Sequence, residues 1–198
     1  MKRRIVITCL LLISFSFLMS EINFGAGIGI GDYQSKGPSG EFNVAFWGTV
    51  LGFDVFIEYL EPLKKAENSN LSYGVGAGYL FPRKIGSIAK FGFIPIYLIG
   101  QYNNNWKNKR EFYGKLKAGF DFFYGDEKFT GENTDLSWGL YTGISGGLIL
   151  ANNVFFELSY QQYRGKKSYD YDDGYCYEES IKEITLSHVT LSLGIQIK

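Results

Sequence analysis

The chain has 198 residues with 20 Lys+Arg against 20 Asp+Glu, a balance that gives nucleic acid no electrostatic reason to bind. Fifteen Tyr, 17 Phe and 25 Gly with only four Pro suit strands that are apolar on one face, whereas a compact soluble core draws more on Leu and Val. Of the two cysteines, Cys9 falls in a leader segment, so the mature chain holds only Cys176 and an intramolecular disulfide is excluded.

Residues 1–20 read as a cleavable export signal. Lys2, Arg3 and Arg4 make a basic start, Ile5 to Met19 is apolar, and Ser20 is a small residue at the cleavage point. About 15 apolar residues is short for a spanning helix, and no later segment has the 18 or so that one needs. Cys9 lies too early in the apolar stretch to carry a lipid. Cleavage removes three cations, which leaves 17 against 20, or −3, on residues 21–198. That length suits a single domain.

Ile22 to Gly31 opens the mature chain with strict alternation. Ile22, Phe24, Ala26, Ile28 and Ile30 share one face, and Gly25, Gly27, Gly29 and Gly31 the other. Glu41 to Leu60 is less regular, because Phe42, Val44 and Phe46 keep even parity while Phe53, Val55, Ile57 and Tyr59 keep odd. One extra residue near Gly48–Gly52 reverses every later side chain, so a bulged single strand explains the switch; two strands with a tight turn explain it equally well locally. Leu71 to Phe81 alternates again, with Leu71, Tyr73, Val75, Ala77, Tyr79 and Phe81 against Ser72, Gly74, Gly76 and Gly78.

Phe91 to Tyr102 is apolar on both faces and carries Pro95, which predicts a bulge or break in pairing there. Phe112 to Tyr124 sets Leu116, Ala118, Phe120 and Phe122 against Lys115, Lys117, Gly119 and Asp121. Leu136 to Leu150 follows, then a tight turn at Ala151-Asn152-Asn153. Val154 to Tyr163 opposes Phe156, Leu158 and Tyr160 to Phe155, Glu157, Ser159 and Gln161. Ile184 to Ile197 closes the chain, with Val189, Leu191, Leu193, Ile195 and Ile197 opposed to His188, Thr190, Ser192 and Gln196.

Runs of about ten residues are what a tilted strand needs to cross a bilayer. Taking Glu41–Leu60 as one strand gives eight, an even number that puts both chain ends on one side. The fold class expected is therefore all-β: an eight-stranded antiparallel up-and-down transmembrane β-barrel. The short connections 61–69, 103–110 and 151–153 fall on the periplasmic side, and 32–40, 82–88, 125–135 and 164–183 outside. Phe81, Phe91, Tyr124, Trp138 and Tyr163 sit at the outer strand ends, where an interfacial aromatic girdle belongs.

The signal, the Phe24-Gly25-Ala26-Gly27-Ile28-Gly29 opening, the hairpin at Phe156-Glu157-Leu158-Ser159-Tyr160 and the closing Val189-Thr190-Leu191-Ser192-Leu193-Gly194 together resemble small outer-membrane barrels of the OmpA/OmpX or opacity-antigen type. The resemblance implies residence in the cell outer membrane, contact with its lipid and lipopolysaccharide, and insertion by the barrel-assembly machinery. That machinery reads a terminal aromatic, whereas this chain ends Ile195-Gln196-Ile197-Lys198.

Candidate chemistry is sparse. An eight-stranded barrel is just wide enough for its own side chains, so the inward Asp54, Glu58, Lys115, Lys117, Asp121 and Glu157 are expected to pair in a polar network that closes the lumen. The Gly25–Gly31 run lacks the G-x-G-x-x-G spacing and a following helix, so it is strand packing and not a nucleotide site. His188, the only histidine, faces the lumen with no nucleophile in reach, and an interior hydrogen-bonded role is expected. No cofactor or metal site is expected, and the acidic run from Asp170 misses the EF-hand pattern because Ile181 stands where the closing Glu belongs.

The 164–183 loop is the interaction candidate. Arg164, Lys166 and Lys167 stand at its base near lipopolysaccharide phosphates, and Tyr171, Asp172, Tyr175 and Tyr177 offer rigid contact surface to a host or surface protein. The function expected is non-enzymatic display of surface loops for envelope integrity, adhesion or surface interaction. The alternatives are a lipid A-modifying enzyme and a small passage for apolar solutes.

Overall fold

The computed structural model describes residues 20–36, 42–43, 50–63, 70–85, 89–106, 110–125, 136–150, 153–172 and 177–198. Apart from Ser20, the export signal lies outside them. Nine strand segments follow in order: β1 (Glu21–Lys36), β2 (Phe42–Asn43), β3 (Val50–Pro62), β4 (Leu71–Ile85), β5 (Ala89–Trp106), β6 (Arg110–Gly125), β7 (Leu136–Ile149), β8 (Val154–Asp172) and β9 (Tyr177–Ile197). Every neighbour is antiparallel, and β9 pairs back onto β1, so eight long strands close a barrel. Among the described residues no helix is present.

The register fixes the barrel's shape. Stepping from Ile22 across paired residues Tyr59, Val75, Leu98, Ala118, Thr142, Gln162 and Ser187 returns to β1 at Asp32, a stagger of 32 − 22 = 10 residues. Ten rises of about 3.3 Å over eight spacings of about 4.8 Å give a strand tilt of about 40° and a radius of about 8 Å. Each residue then climbs about 2.5 Å along the axis, so Leu71 to Phe81 spans about 25 Å, the height of an outer-membrane apolar band.

That band faces outward. Ile28, Val75, Leu116 and Leu193 are 52%, 51%, 65% and 52% exposed, while Glu58, Lys115, Asp121 and His188 are buried. This is the reverse of a soluble barrel and suits a hydrocarbon surround, because nothing else among the described residues covers the apolar wall.

The irregular Glu41–Leu60 stretch resolves through its pairing. Both β2 and β3 lie against β1, but Ser35 pairs Asn43 whereas Gly31 pairs Val50. Seven positions on one side therefore match four on the other. The difference of three is odd, which reverses the face as the parity switch requires; the intervening 44–49 lie outside the described residues.

Pro95 acts as its missing N–H dictates. The β4–β5 ladder skips Gly78 and Tyr79 opposite Pro95 and Ile94, then shifts by one residue between Leu80 and Arg83. Toward β6 the ladder is unbroken, with Pro95 opposite Asp121.

The connections are shorter than the apolar runs imply, and the aromatic girdle changes. The connection 164–183 is not a loop: β8 and β9 stay paired from Arg164↔Thr185 up to Asp172↔Tyr177, and only 173–176 fall outside the described residues. The shorter strand ends came from following apolar alternation, which stops where lipid stops although the hydrogen-bond ladder does not. Similarly, 103–110 narrows to 107–109, because Asn103–Trp106 pair with Arg110–Tyr113. The aromatic girdle also loses two members. Phe81 and Trp138 are exposed and Tyr124 is half-buried, but Phe91 and Tyr163 are buried in the lumen with the odd-numbered residues of their strands.

Candidate functional site

The lumen is filled in layers. In the half of the lumen toward the chain ends, Glu58 on β3 and Glu157 on β8 face Lys115 and Lys117 on β6. The four side chains form a closed ring of alternating charge: Lys115 Nζ lies 2.7 Å from Glu58 and 2.7 Å from Glu157, and Lys117 Nζ lies 2.7 Å and 2.9 Å from the same pair. Tyr97 and Tyr113 donate to the free lone pairs of Glu58 (3.2 Å) and Glu157 (3.0 Å). Lys115 also sits over the Tyr113 ring and Lys117 over that of Phe56. Each ion has two counter-ions and further partners, the condition under which buried pairs persist.

Asp54 and Asp121 stand apart from that ring. Asp54 Oδ2 accepts from the Thr190 hydroxyl at 3.1 Å, and Thr190 Oγ1 lies 3.0 Å from His188 Nδ1. Arg83 Nη2 lies 2.6 Å from His188 Nε2. A guanidinium can only donate, so Nε2 accepts and the ring is neutral with its proton on Nδ1. Thr190 in turn donates to Asp54, so Arg83, His188, Thr190 and Asp54 form one connected hydrogen-bonded row. Gly29 makes room for this arrangement, since a Cβ there would run into the His188 ring. A hydroxyl is thus within reach of His188, contrary to expectation, but its proton serves Asp54 and the whole row is buried.

Asp121 reaches from β6 past β7 to accept the backbone N–H of Arg164 on β8 at 3.0 Å. The β7–β8 register shifts by one residue between Ser137 and Tyr141, and Gly139 lies so close to the Arg164 carbonyl that any Cβ would collide with it. The carboxylate supplies an acceptor where the bulge interrupts the ladder.

Above these layers Leu80, Phe91, Phe93, Phe123, Tyr163, Ile184 and Leu186 form an apolar cluster. Tyr163 donates to Gln161, and Phe93 stacks on Tyr163 at 5.1 Å. The hollow between Asp54, Pro95, Tyr97, Lys117 and Tyr141 has a volume of about 10 Å³, room for a single water.

Arg83 is the interior residue the sequence reading missed, because it was placed in the 82–88 connection. One signal pointed to it. Asp54, Glu58, Asp121 and Glu157 outnumber Lys115 and Lys117 by two inside a narrow lumen, an excess that a further interior cation offsets in part.

The surface candidates divide. Arg164 and Lys166 are exposed on the outer wall of β8, Lys167 pairs Lys182, and Tyr171 and Asp172 pair Glu178 and Tyr177 at the hairpin's far end. Tyr175 lies outside the described residues. Among the described residues no cluster of His, Cys, Asp or Glu has metal-binding geometry.

No family model and no curated protein matches the chain. Solved structures do. Outer membrane protein OprG from Pseudomonas aeruginosa aligns over 90% of this chain and 95% of its own, at 14% identity and a TM-score of 0.56. Neisserial surface protein A aligns over 88% and 96%, at 11% identity and a TM-score of 0.51. With its closed eight-strand ladder, outward apolar band and filled polar lumen, this chain has the fold of the small outer-membrane β-barrels.

Proposed function

We propose that the protein is a non-enzymatic outer-membrane barrel that raises the β8–β9 hairpin above the cell surface as an interaction surface. One observation carries this reading: six residue pairs, from Lys167↔Lys182 to Asp172↔Tyr177, continue the ladder beyond the apolar wall. At about 3.3 Å per residue that is about 20 Å of extended hairpin. Between Ser168 and Ser180 the sequence carries five acidic residues and no Lys or Arg, with four tyrosines among them. Acidic charge around aromatic contact surface favours a basic partner, and the filled lumen argues against passage through the barrel.

The test replaces 169–180 with a Gly/Ser segment and compares intact cells. Cells carrying the native hairpin should lose it to external protease and should bind a polylysine-coated surface more than cells carrying the replacement. Equal binding, or a hairpin cut only after the cells are opened, would refute the proposal.

A second reading, a side passage for apolar solutes, is favoured by the skipped pairs at Gly78 and Tyr79 beside Pro95. The display reading is preferred because the lumen behind that gap is occupied by Asp54, Tyr97 and Tyr141.

A further inference from the structure

The apolar wall is interrupted on one side. Along β7, β8 and β9 the outward positions Thr142, Gln162 and Ser187 are polar and half-buried, whereas Phe53, Ile94 and Ile30 occupy comparable heights elsewhere. From the tilt and register, Gln162 lies about 19 Å above Ile22, still inside the apolar band, with Arg164 at about 24 Å and Trp138 at about 26 Å, near its upper edge. The Arg164 guanidinium turns to this inset and donates to Gln162 Oε1 at 3.0 Å.

Beside it the β7 bulge leaves a hollow of about 520 Å³. Phe120, Trp138 and Leu140 form its apolar side, and Arg164, Lys166 and Glu183 its polar side. Phe120 and Trp138 meet edge to face at 5.3 Å. Gly139 and Gly165 line the floor without side chains. A cationic wall facing an aromatic one, at the height where headgroups meet acyl chains, suits an amphiphile with an anionic head.

We propose that this hollow binds a phosphomonoester headgroup of an outer-leaflet glycolipid, with its acyl chain against Phe120 and Leu140. Arg164 holds the phosphate: its guanidinium has five N–H donors in a fork matched to two phosphate oxygens, and Gln162 takes one of them. Lys166 adds a second positive charge, offset by Glu183, which stands opposite it in the ladder. Lipid rather than free phosphate is the occupant, because the apolar side of the hollow has no use for an inorganic ion. The inference rests on the reading that the β8–β9 end faces outward.

The test is native mass spectrometry of the whole barrel in detergent with added bisphosphorylated lipid A, its phosphate-free counterpart, or inorganic phosphate. Losing one charge-assisted contact corresponds to about a tenfold or larger change in affinity. The wild-type protein should retain the phosphorylated lipid at least about tenfold better than the phosphate-free one, and R164Q should lose that preference, as should R164A/K166A. Inorganic phosphate should not displace the lipid. Equal retention by R164Q, equal retention of the phosphate-free lipid, or displacement by inorganic phosphate would each overturn the proposal. Heat-modifiable gel mobility identifies a variant that has failed to fold, and R164K, which keeps the charge, should then retain binding if the site is real. Orientation is read separately by protease on whole cells, so a hairpin facing inward would defeat the display reading while the lipid measurement remained interpretable.

Discussion

At the residue scale, the interior works by mutual neutralisation. Lys115 and Lys117 each bridge both Glu58 and Glu157, so removing one lysine leaves two buried carboxylates sharing a single cation. Lys117→Met should therefore lower stability by roughly 3–5 kcal/mol. The neutralised pair Lys117→Met with Glu157→Gln should cost less than the sum of the single changes. Urea titration of the barrel in lipid vesicles, followed by the shift in gel mobility, measures both. Additive losses would show that the ring does not act as a unit. His188 belongs to the same logic. It is buried against Arg83 and Thr190, away from the lipid face, so His188→Ala should cost about 1–3 kcal/mol by removing a buried hydrogen-bond partner of both. Expression of that variant should leave lipid A mass the same as with wild type; a mass difference between the two would revive the lipid A enzyme.

At the scale of elements, the β-strands were legible wherever one face met lipid. Ile22–Gly31 and Leu71–Phe81 announce their faces residue by residue, because hydrocarbon on one side and packed side chains on the other impose a strict period of two. Past Lys166 the sequence of β8 carries no apolar alternation, as at Tyr169 and Asp170, so the strand extension left no trace in pattern. Inside, parity identified Glu58, Lys115, Lys117 and Glu157 as lumen residues. Which of them meet depends on the ten-residue stagger, a property of the closed ring that no single strand encodes. Arg83 was hidden by the one-residue shift after Leu80, which reverses its face. That shift and the skipped pairs near Pro95 make β4 the weakly zipped strand. In hydrogen exchange, Gly78 and Tyr79 should exchange faster than Tyr73–Ala77, where the ladder is continuous on both sides. Equal protection across β4 would remove the gap as a feature in solution.

At the scale of the whole molecule, two properties follow from a barrel of eight strands and stagger ten. The radius of about 8 Å leaves space that the charged ring and the aromatic clusters fill except for a hollow the size of one water, so the protein in a planar bilayer should show no large, steady conductance. Steady openings would contradict the closed lumen. The second property is that the wall is solvated by hydrocarbon, on which every functional statement above depends. Tryptophan quenching by brominated lipid tests it most directly, using single-tryptophan proteins in which the native Trp47, Trp106 and Trp138 are otherwise Phe. Leu116→Trp should be strongly quenched by bromines deep in the acyl chains, the native Trp138 by bromines near the headgroups, and Tyr97→Trp by neither. If Leu116→Trp escapes quenching while Tyr97→Trp is quenched, the faces are assigned the wrong way round and hydrocarbon does not cover this wall.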